Sequence, residues 1–222
     1  ANGPIAVHID GFQDYQESKA WTWEHMALTR ARVIVAPPEF RLRLEELIGS
    51  VIRLPRDPNS LLMEVADMHQ RIEREHGTED MWQIKYARGG LFELEFLCQY
   101  LILRHAGDHQ LTPSSSTIDA IFGLRDAGAI DPRLAEEISS ALQLLRNIQG
   151  FLRQTLQAGN VEEIAPEGLR SALARATGLV DFEALRVILQ ETQERVHQLF
   201  VEIIEEPAQD QINDAIENEP SK

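Results

Sequence analysis

The residues with the most chemical potential fall in two short stretches. Residues 20–32 hold Trp21, Trp23, Glu24, His25, Arg30 and Arg32, and residues 85–100 hold Lys85, Gly89, Gly90, Glu93, Glu95 and Tyr100. Arginine and lysine in such company can meet a phosphate or carboxylate by charge-assisted hydrogen bonds. Glu95 shares a helical stripe with Leu91, Cys98 and Ile102. A carboxylate taken into an apolar helix must find an Arg, a Lys, helix-terminal amides or a proton. Lys85, one of only three lysines, is one expected partner, and Arg30 and Arg32 are the others. A structural ion pair that fixes helix packing explains Glu95 as well as a site does. Gly89 and Gly90 let backbone approach a ligand or simply join two segments. No Lys-Ser or Lys-Thr follows them as in a phosphate-binding loop, so the structural reading is favoured. His25 shares a face with Trp21, Leu28 and Arg32, which suits a hydrogen-bonded core histidine. Trp21 and Trp23 stand about 200° apart on a helix, so one is expected to pack inward and the other to face a neighbouring domain or ligand.

Other chemistries find little support. Glu73/His76 and Glu194/His197 have the Glu-x-x-His spacing used in di-iron carboxylate bundles. Yet Glu194 and His197 fall off the apolar stripe of their helix, and Glu73 falls off the Val65, Met68, Ile72 stripe, so no metal site is expected. No Cys/His zinc spacing and no Gly-x-Ser-x-Gly elbow occur, and Cys98, in an apolar run, lacks a nucleophile's setting.

The 222 residues are 43% hydrophobic and 6% aromatic, rich in Leu, Ile and Ala, a mix that leans to helix. A net charge of −15 argues against a nucleic-acid partner. Residues 30–56 run against that trend, with Arg30, Arg32, Arg41, Arg43, Arg53 and Arg56 against three glutamates. They form either a local basic surface for a phosphate or acidic partner, or ordinary solvated helix faces. The single cysteine excludes an internal disulfide and suits a reducing cytoplasm. No apolar stretch of spanning length occurs, so no membrane role is expected.

The elements that must position these residues read as helices. Ile5, Val7 and Ile9 alternate as an edge strand would, and residues 1–10 look like the end of a preceding unit. Helical patterns follow at 12–35, 38–54 and from a cap at Asp57, with 77–80 a loop. Residues 91–105 alternate at first and are then apolar nearly all round; their length fits a helix buried in a bundle. Residues 108–116 form a loop, and Ser116 or Thr117 caps a helix to about 127. Asp131-Pro132 opens a long one to about 158, and 166–176 is short. Asp181 caps the last, with Phe182, Leu185, Leu189, Val196, Leu199 and Ile203 in near-heptad order and Pro207 as its stop. The sum is an all-α bundle of about seven or eight helices. It spans 11–206, with a possible division near 106–116, and 207–222 reads as an acidic flexible tail.

Residues 20–32 and 85–100, in this order and at this distance, resemble the helical region that follows the nucleotidyltransferase core of glutamine synthetase adenylyltransferases. The resemblance is strong from about residue 3 to 105 and weaker from 112 to 206. Glu93 departs from it, standing where the family more often has aspartate. The resemblance implies a bifunctional parent enzyme that moves AMP from ATP to a tyrosine of glutamine synthetase and removes it by phosphorolysis. It implies Mg²⁺ and ATP as cofactors, with the preceding core in cis, glutamine synthetase and the PII signal protein as partners. The family's Gly-Ser…Asp-x-Asp metal motif is absent from this sequence. The resemblance therefore implies the helical domain after the C-terminal adenylylating core, inactive alone, with Trp23, Arg30, Arg32, Lys85, Glu93 and Glu95 bordering the cleft. The competing reading is a stand-alone helical interaction module.

Overall fold

A computed structural model describes residues 6–109, 111, 114, 116–155, 161 and 165–217. The described residues are helical with no β-strand, and Thr78 and Ala87 form an isolated bridge. The elements are α1 (Ile9–Ser18), α2 (Thr22–Leu28), α3 (Pro38–Ile52), α4 (Pro58–His76), α5 (Leu91–His105), α6 (Thr117–Asp126) and α7 (Pro132–Thr155). They continue with α8 (Glu167–Ala176), α9 (Phe182–Phe200), a π-helical turn (Val201–Glu205) and α10 (Glu206–Glu217). Two compact units result: residues 1–65 with 98–132, and residues 66–97 with 133–222, so 106–116 lies inside the first.

The expected N-terminal strand falls partly outside the described residues, and the described part is not a strand. Ile9 opens α1 instead, with His8 as the N-cap. Its side chain is buried against Leu47 and Val51, so it serves a helical core. The single helix expected over 12–35 is broken twice. Glu24 turns back to accept the Trp21 backbone N–H at 2.8 Å and the Tyr15 hydroxyl at 2.8 Å, which starts a new helix. Beyond Leu28 the β-branched run Val33, Ile34, Val35 and the Pro37-Pro38 pair disfavour helix. There Arg41 takes the Val33 carbonyl at 2.7 Å. Trp21 therefore lies outside the helix, and both tryptophans are exposed, Trp21 at 70% and Trp23 at 49%, where one was expected to pack inward.

In the first unit α1 and α2 both pack on α3. The C-terminal end of α3 is closed by Arg56, which donates to the carbonyls of Val51, Ile52 and Leu54, each at 2.8 Å. Ile52 is one of the last-turn carbonyls that a helix end leaves without a partner, Val51 also accepts the Leu54 N–H at 3.2 Å, and Leu54 lies just past the helix. Burial draws the guanidinium pKa down to about 10, so it stays charged at neutral pH. Its other contact is Nδ1 of His25 at 3.1 Å, while Nε2 of His25 lies 2.9 Å from the Gln16 carbonyl. With Nδ1 accepting from an arginine, Nε2 carries the proton and donates to Gln16. Burial lowers the His25 pKa, and the Arg56 charge adds to that.

In the second unit α7 buries Ala135, Ile138, Leu142, Leu145 and Ile148, spaced at three and four residues. α9 buries Leu185, Leu189, Val196, Leu199 and Phe200, and α8 packs on it. Pro207 does not stop the chain. The helical run instead continues through the π-turn into α10, which carries Pro207 as its second residue. The register shifts, so Ile204 and Ala208 are buried while Ile203 is only half-buried. Residues 207–217, expected as part of a flexible tail, belong to α10. No described helix is long and apolar enough to cross a membrane.

Arg56→Ala should cost about 3 kcal/mol in urea unfolding, because it strips partners from partly buried carbonyls and from His25. The His25 contribution has a defined pH sense. An unfolded histidine titrates near about 6.5 and the folded one lower, so the folded chain binds fewer protons. The contribution is complete above the unfolded value and is lost as pH falls through the folded one. The difference in Tm between the wild-type chain and His25→Gln should therefore narrow between pH 7.5 and pH 5; a constant difference would contradict a neutral His25.

Candidate functional site

The residues expected at a site divide between the units. Trp23, Arg30 and Arg32 belong to the first, and Lys85, Glu93 and Glu95 to the second. In the first unit a cleft of about 720 Å³ lies between the segment after α2 and helix α3. Arg32, Arg41 and Arg53 line it with Glu45 and Glu46, over an apolar floor that includes Leu28 and Ile52. Most arginines of the basic stretch are committed elsewhere. Arg43 pairs with Asp10, Arg41 with Glu45 at 3.6 Å, Arg53 donates to the Leu111 carbonyl at 3.1 Å, and Arg56 closes α3. Arg32 is exposed and makes no hydrogen bond or ion pair among the described residues, so its fork remains available to an anion at the cleft.

In the second unit the buried carboxylate is Glu93, not Glu95. Glu93 is 4% exposed in the first turn of α5, and accepts the Gly89 N–H at 3.0 Å. Its other oxygen lies 3.0 Å from Nδ1 of His197 on α9. Burial pushes the carboxyl above its usual range, against the opposing pull of Gly89 and His197. Glu95 is half-buried and pairs at 3.4 Å with Arg146 of α7, where Lys85, Arg30 and Arg32 were the expected partners. The two glutamates stand about 200° apart on the helix, so only one can face α9. Lys85 is exposed and donates to the Tyr86 hydroxyl at 2.7 Å.

Gly89 and Gly90 are packing positions. Gly89 has φ +69, and a Cβ there would sit 1.8 Å from the Gln193 carbonyl oxygen of α9. At Gly90 a Cβ would meet the Ile84 and Ala87 carbonyls at 2.6 and 2.7 Å. The 77–90 loop is fastened to α9 by Gln193, which donates to the Met81 carbonyl at 2.9 Å, and by Trp82 stacked on Phe182. A cavity of about 260 Å³ opens beside this loop, lined by His69, Glu73, Tyr86, Arg88 and Glu93 among others. Glu205 of the π-turn approaches His69 from the same unit. The sequence reading passed over His69, Arg146 and Glu205. His69 and Glu73 stand one helical turn apart on a shared face, and that spacing was the available signal.

Comparison with known proteins gives this geometry a family. Residues 1–47 match the family model described as glutamate-ammonia ligase adenylyltransferase, and residues 65–204 match that described as GlnD PII-uridylyltransferase. The chain belongs to the GlnD PII-uridylyltransferase family. Its relatives include the bifunctional glutamine synthetase adenylyltransferase/adenylyl-removing enzyme of Xanthobacter autotrophicus, 40% identical over 208 residues, which are 94% of this chain and 21% of that protein. The enzyme of the same description from Bradyrhizobium sp. (strain BTAi1) is 41% identical over 204 residues, 92% of this chain and 21% of its own length. That from Rhodopseudomonas palustris (strain TIE-1) is 39% identical over 202 residues, with 91% and 20% covered. The chain thus spans about a fifth of the length of the curated relatives it matches. The resemblance read from residues 20–32 and 85–100 is borne out by these matches.

Gly89→Ala combines a strained φ with a clash against backbone and should cost about 3 kcal/mol or more. Gly128→Ala is the control: its φ is +73 but a Cβ there meets nothing within 4 Å, so about 1 kcal/mol is expected. Equal losses in thermal unfolding would show that the approach to Gln193 carries no weight.

Proposed function

We propose that this chain is the helical domain of a bifunctional glutamine synthetase adenylyltransferase/deadenylylase, placed after the C-terminal adenylylating core. The observation that carries the reading is identity near 40% across more than nine-tenths of the chain to enzymes of that description. In the parent, the core supplies Mg²⁺, ATP and the transfer of AMP to a glutamine synthetase tyrosine, with PII as a regulatory partner. The helical domain shapes the cleft and has no transfer activity alone. Within it, Arg32 is the group best placed to meet phosphate, since its charge is not consumed by the fold and a cleft lies beside it. Trp23 and the arginine at 30 flank the same segment. Lys85, Glu93 and Glu95 serve the second unit, where their contacts are with Tyr86, His197 and Arg146.

One observation favours a docking role as well. Trp21, Trp23, Ile34 and Val35 are exposed at 70%, 49%, 67% and 89%, all within fifteen residues of a segment that matches the adenylyltransferase model. Large apolar side chains exposed at this density mark a surface that another body covers. In this reading the body is the preceding core in cis.

In the full-length enzyme Arg32→Ala should lower AMP transfer to glutamine synthetase about tenfold or more, as loss of one charge-assisted phosphate contact implies. Urea stability should stay within about 0.5 kcal/mol of wild type, as for a surface substitution. Unchanged transfer by a normally folded variant would remove Arg32 from the cleft.

A further inference from the structure

We propose that His69, Glu73 and Glu205 form a binding site for a divalent transition-metal ion in the second unit. Their candidate ligand atoms all lie within 4.8 Å of one another. Helix α4 offers His69 and Glu73 from one face, a turn apart, and the π-turn brings Glu205 to the other side of the imidazole. Conserving a regular helix through 201–205 would rotate Glu205 away, and π-turns are frequent at functional positions.

His69 is the independent observation. It is 1% exposed, and neither ring nitrogen has a hydrogen-bond partner. A buried polar ring with both nitrogens unmet is costly, and native interiors rarely keep one without a water or an ion. Nδ1 lies 3.6 Å from Glu205 Oε1, too far for a good hydrogen bond. It is close to the spacing of two ligands on one ion, since metal–ligand bonds of about 2.1 Å put neighbouring donor atoms roughly 3 to 3.4 Å apart. The ring is also held in place. Phe92 stacks on it at 5.4 Å and 12°, and Phe200 lies against it at 4.1 Å. These rings hold the imidazole by packing alone, and an ion on one nitrogen leaves the other to a water in the adjoining cavity.

The charges facing the cluster favour a cation. Glu73, Glu93 and Glu205 bring three carboxyls to one region, with Arg88 and His197 as the basic groups near them. Glu93 is taken up by Gly89 and His197, so it braces the cluster from the side and leaves Glu73 and Glu205 to the ion. The cavity beside His69 and Glu73 gives an entry path and room for water to complete the coordination. One imidazole with two carboxylates suits Zn²⁺, Fe²⁺ or Mn²⁺ better than Mg²⁺, which prefers oxygen ligands and keeps its waters. The two Glu-x-x-His pairs in the sequence each give one member to this region, Glu73 and His197.

Calorimetric titration of the metal-stripped 222-residue chain with Zn²⁺, with Mg²⁺ in parallel, tests the site. One saturating equivalent of Zn²⁺ and a Zn²⁺-dependent rise in Tm are expected, with at least about 100-fold tighter binding than for Mg²⁺. His69→Gln and Glu205→Gln should each weaken Zn²⁺ binding on the order of 100-fold. Glu73→Gln, at an exposed position, tests the same point in a chain certain to keep its core. Co²⁺ in place of Zn²⁺ should give a visible absorption band that these variants lose. Absence of saturable Zn²⁺ binding would overturn the site. So would binding of wild-type strength in the His69 and Glu73 variants, which would assign the ion to surface groups such as His105 and His109, whose rings lie 6.0 Å apart.

Discussion

A carboxylate buried at the start of α5 sets the terms for the second unit. Taking Glu93 out of water costs several kcal/mol unless its oxygens are met. Two groups meet them: the Gly89 N–H at the helix N-terminus and the His197 ring of α9. The first forces the chain before α5 to turn back at positive φ, and the second brings that turn so close to α9 that a Cβ at position 89 would overlap the Gln193 carbonyl. Only glycine satisfies both demands. The loop over 77–90 has almost no regular structure, yet it is ordered because its polar groups are fastened to α9 through Gln193 and its apolar weight rests on the Trp82–Phe182 stack. Local structure here follows from electrostatic need.

The π-turn at Val201–Glu205 works in the same direction from the other side. A proline two residues further would break a regular helix at that point. The wider turn carries the helical run past Pro207, and the extra residue shifts the apolar register from Ile203 to Ile204 and Ala208. The same shift turns Glu205 toward His69. A backbone irregularity with a clear cause in sequence thereby decides which acidic side chain reaches the interior.

Much of the architecture was legible because it depends on pattern. The all-α class, the caps at Asp57, Ser116 and Asp181, and the buried α5 follow from periodicity and end signals that tertiary contacts only reinforce. Pattern failed where one side chain outbid it. Glu24 cut a long helix in two by capping Trp21, and the turn at 201–205 rescued a helix that Pro207 should have ended. The site residues were harder. A step of two residues along α5 reverses the face, so the expectation that Glu95 was the buried carboxylate missed Glu93 by the smallest possible error and gave it the wrong partners. His69 continues the apolar stripe of α4 and reads as core, and only its one-turn spacing to Glu73 marks it otherwise.

The arginines of residues 30–56 show why counting charges on a sequence overstates a binding surface. Six cations suggested a basic face, but backbone carbonyls are numerous at helix ends and compete for them first. Arg56 is spent on the end of α3, Arg53 on Leu111, and Arg41 on Val33 and Glu45. A guanidinium committed to the backbone lends little to a ligand, because binding would have to leave those carbonyls unmet. What remains for recognition is the group whose bonding capacity the fold leaves over, and in the first unit that points to Arg32 at the cleft. The same subtraction applied to the second unit leaves the His69 ring, where Glu93 and His197 satisfy each other and Glu95 has Arg146. Function is read from unmet valence, and the two units leave different kinds: a cation open to solvent in one, and a buried nitrogen base beside carboxylates in the other.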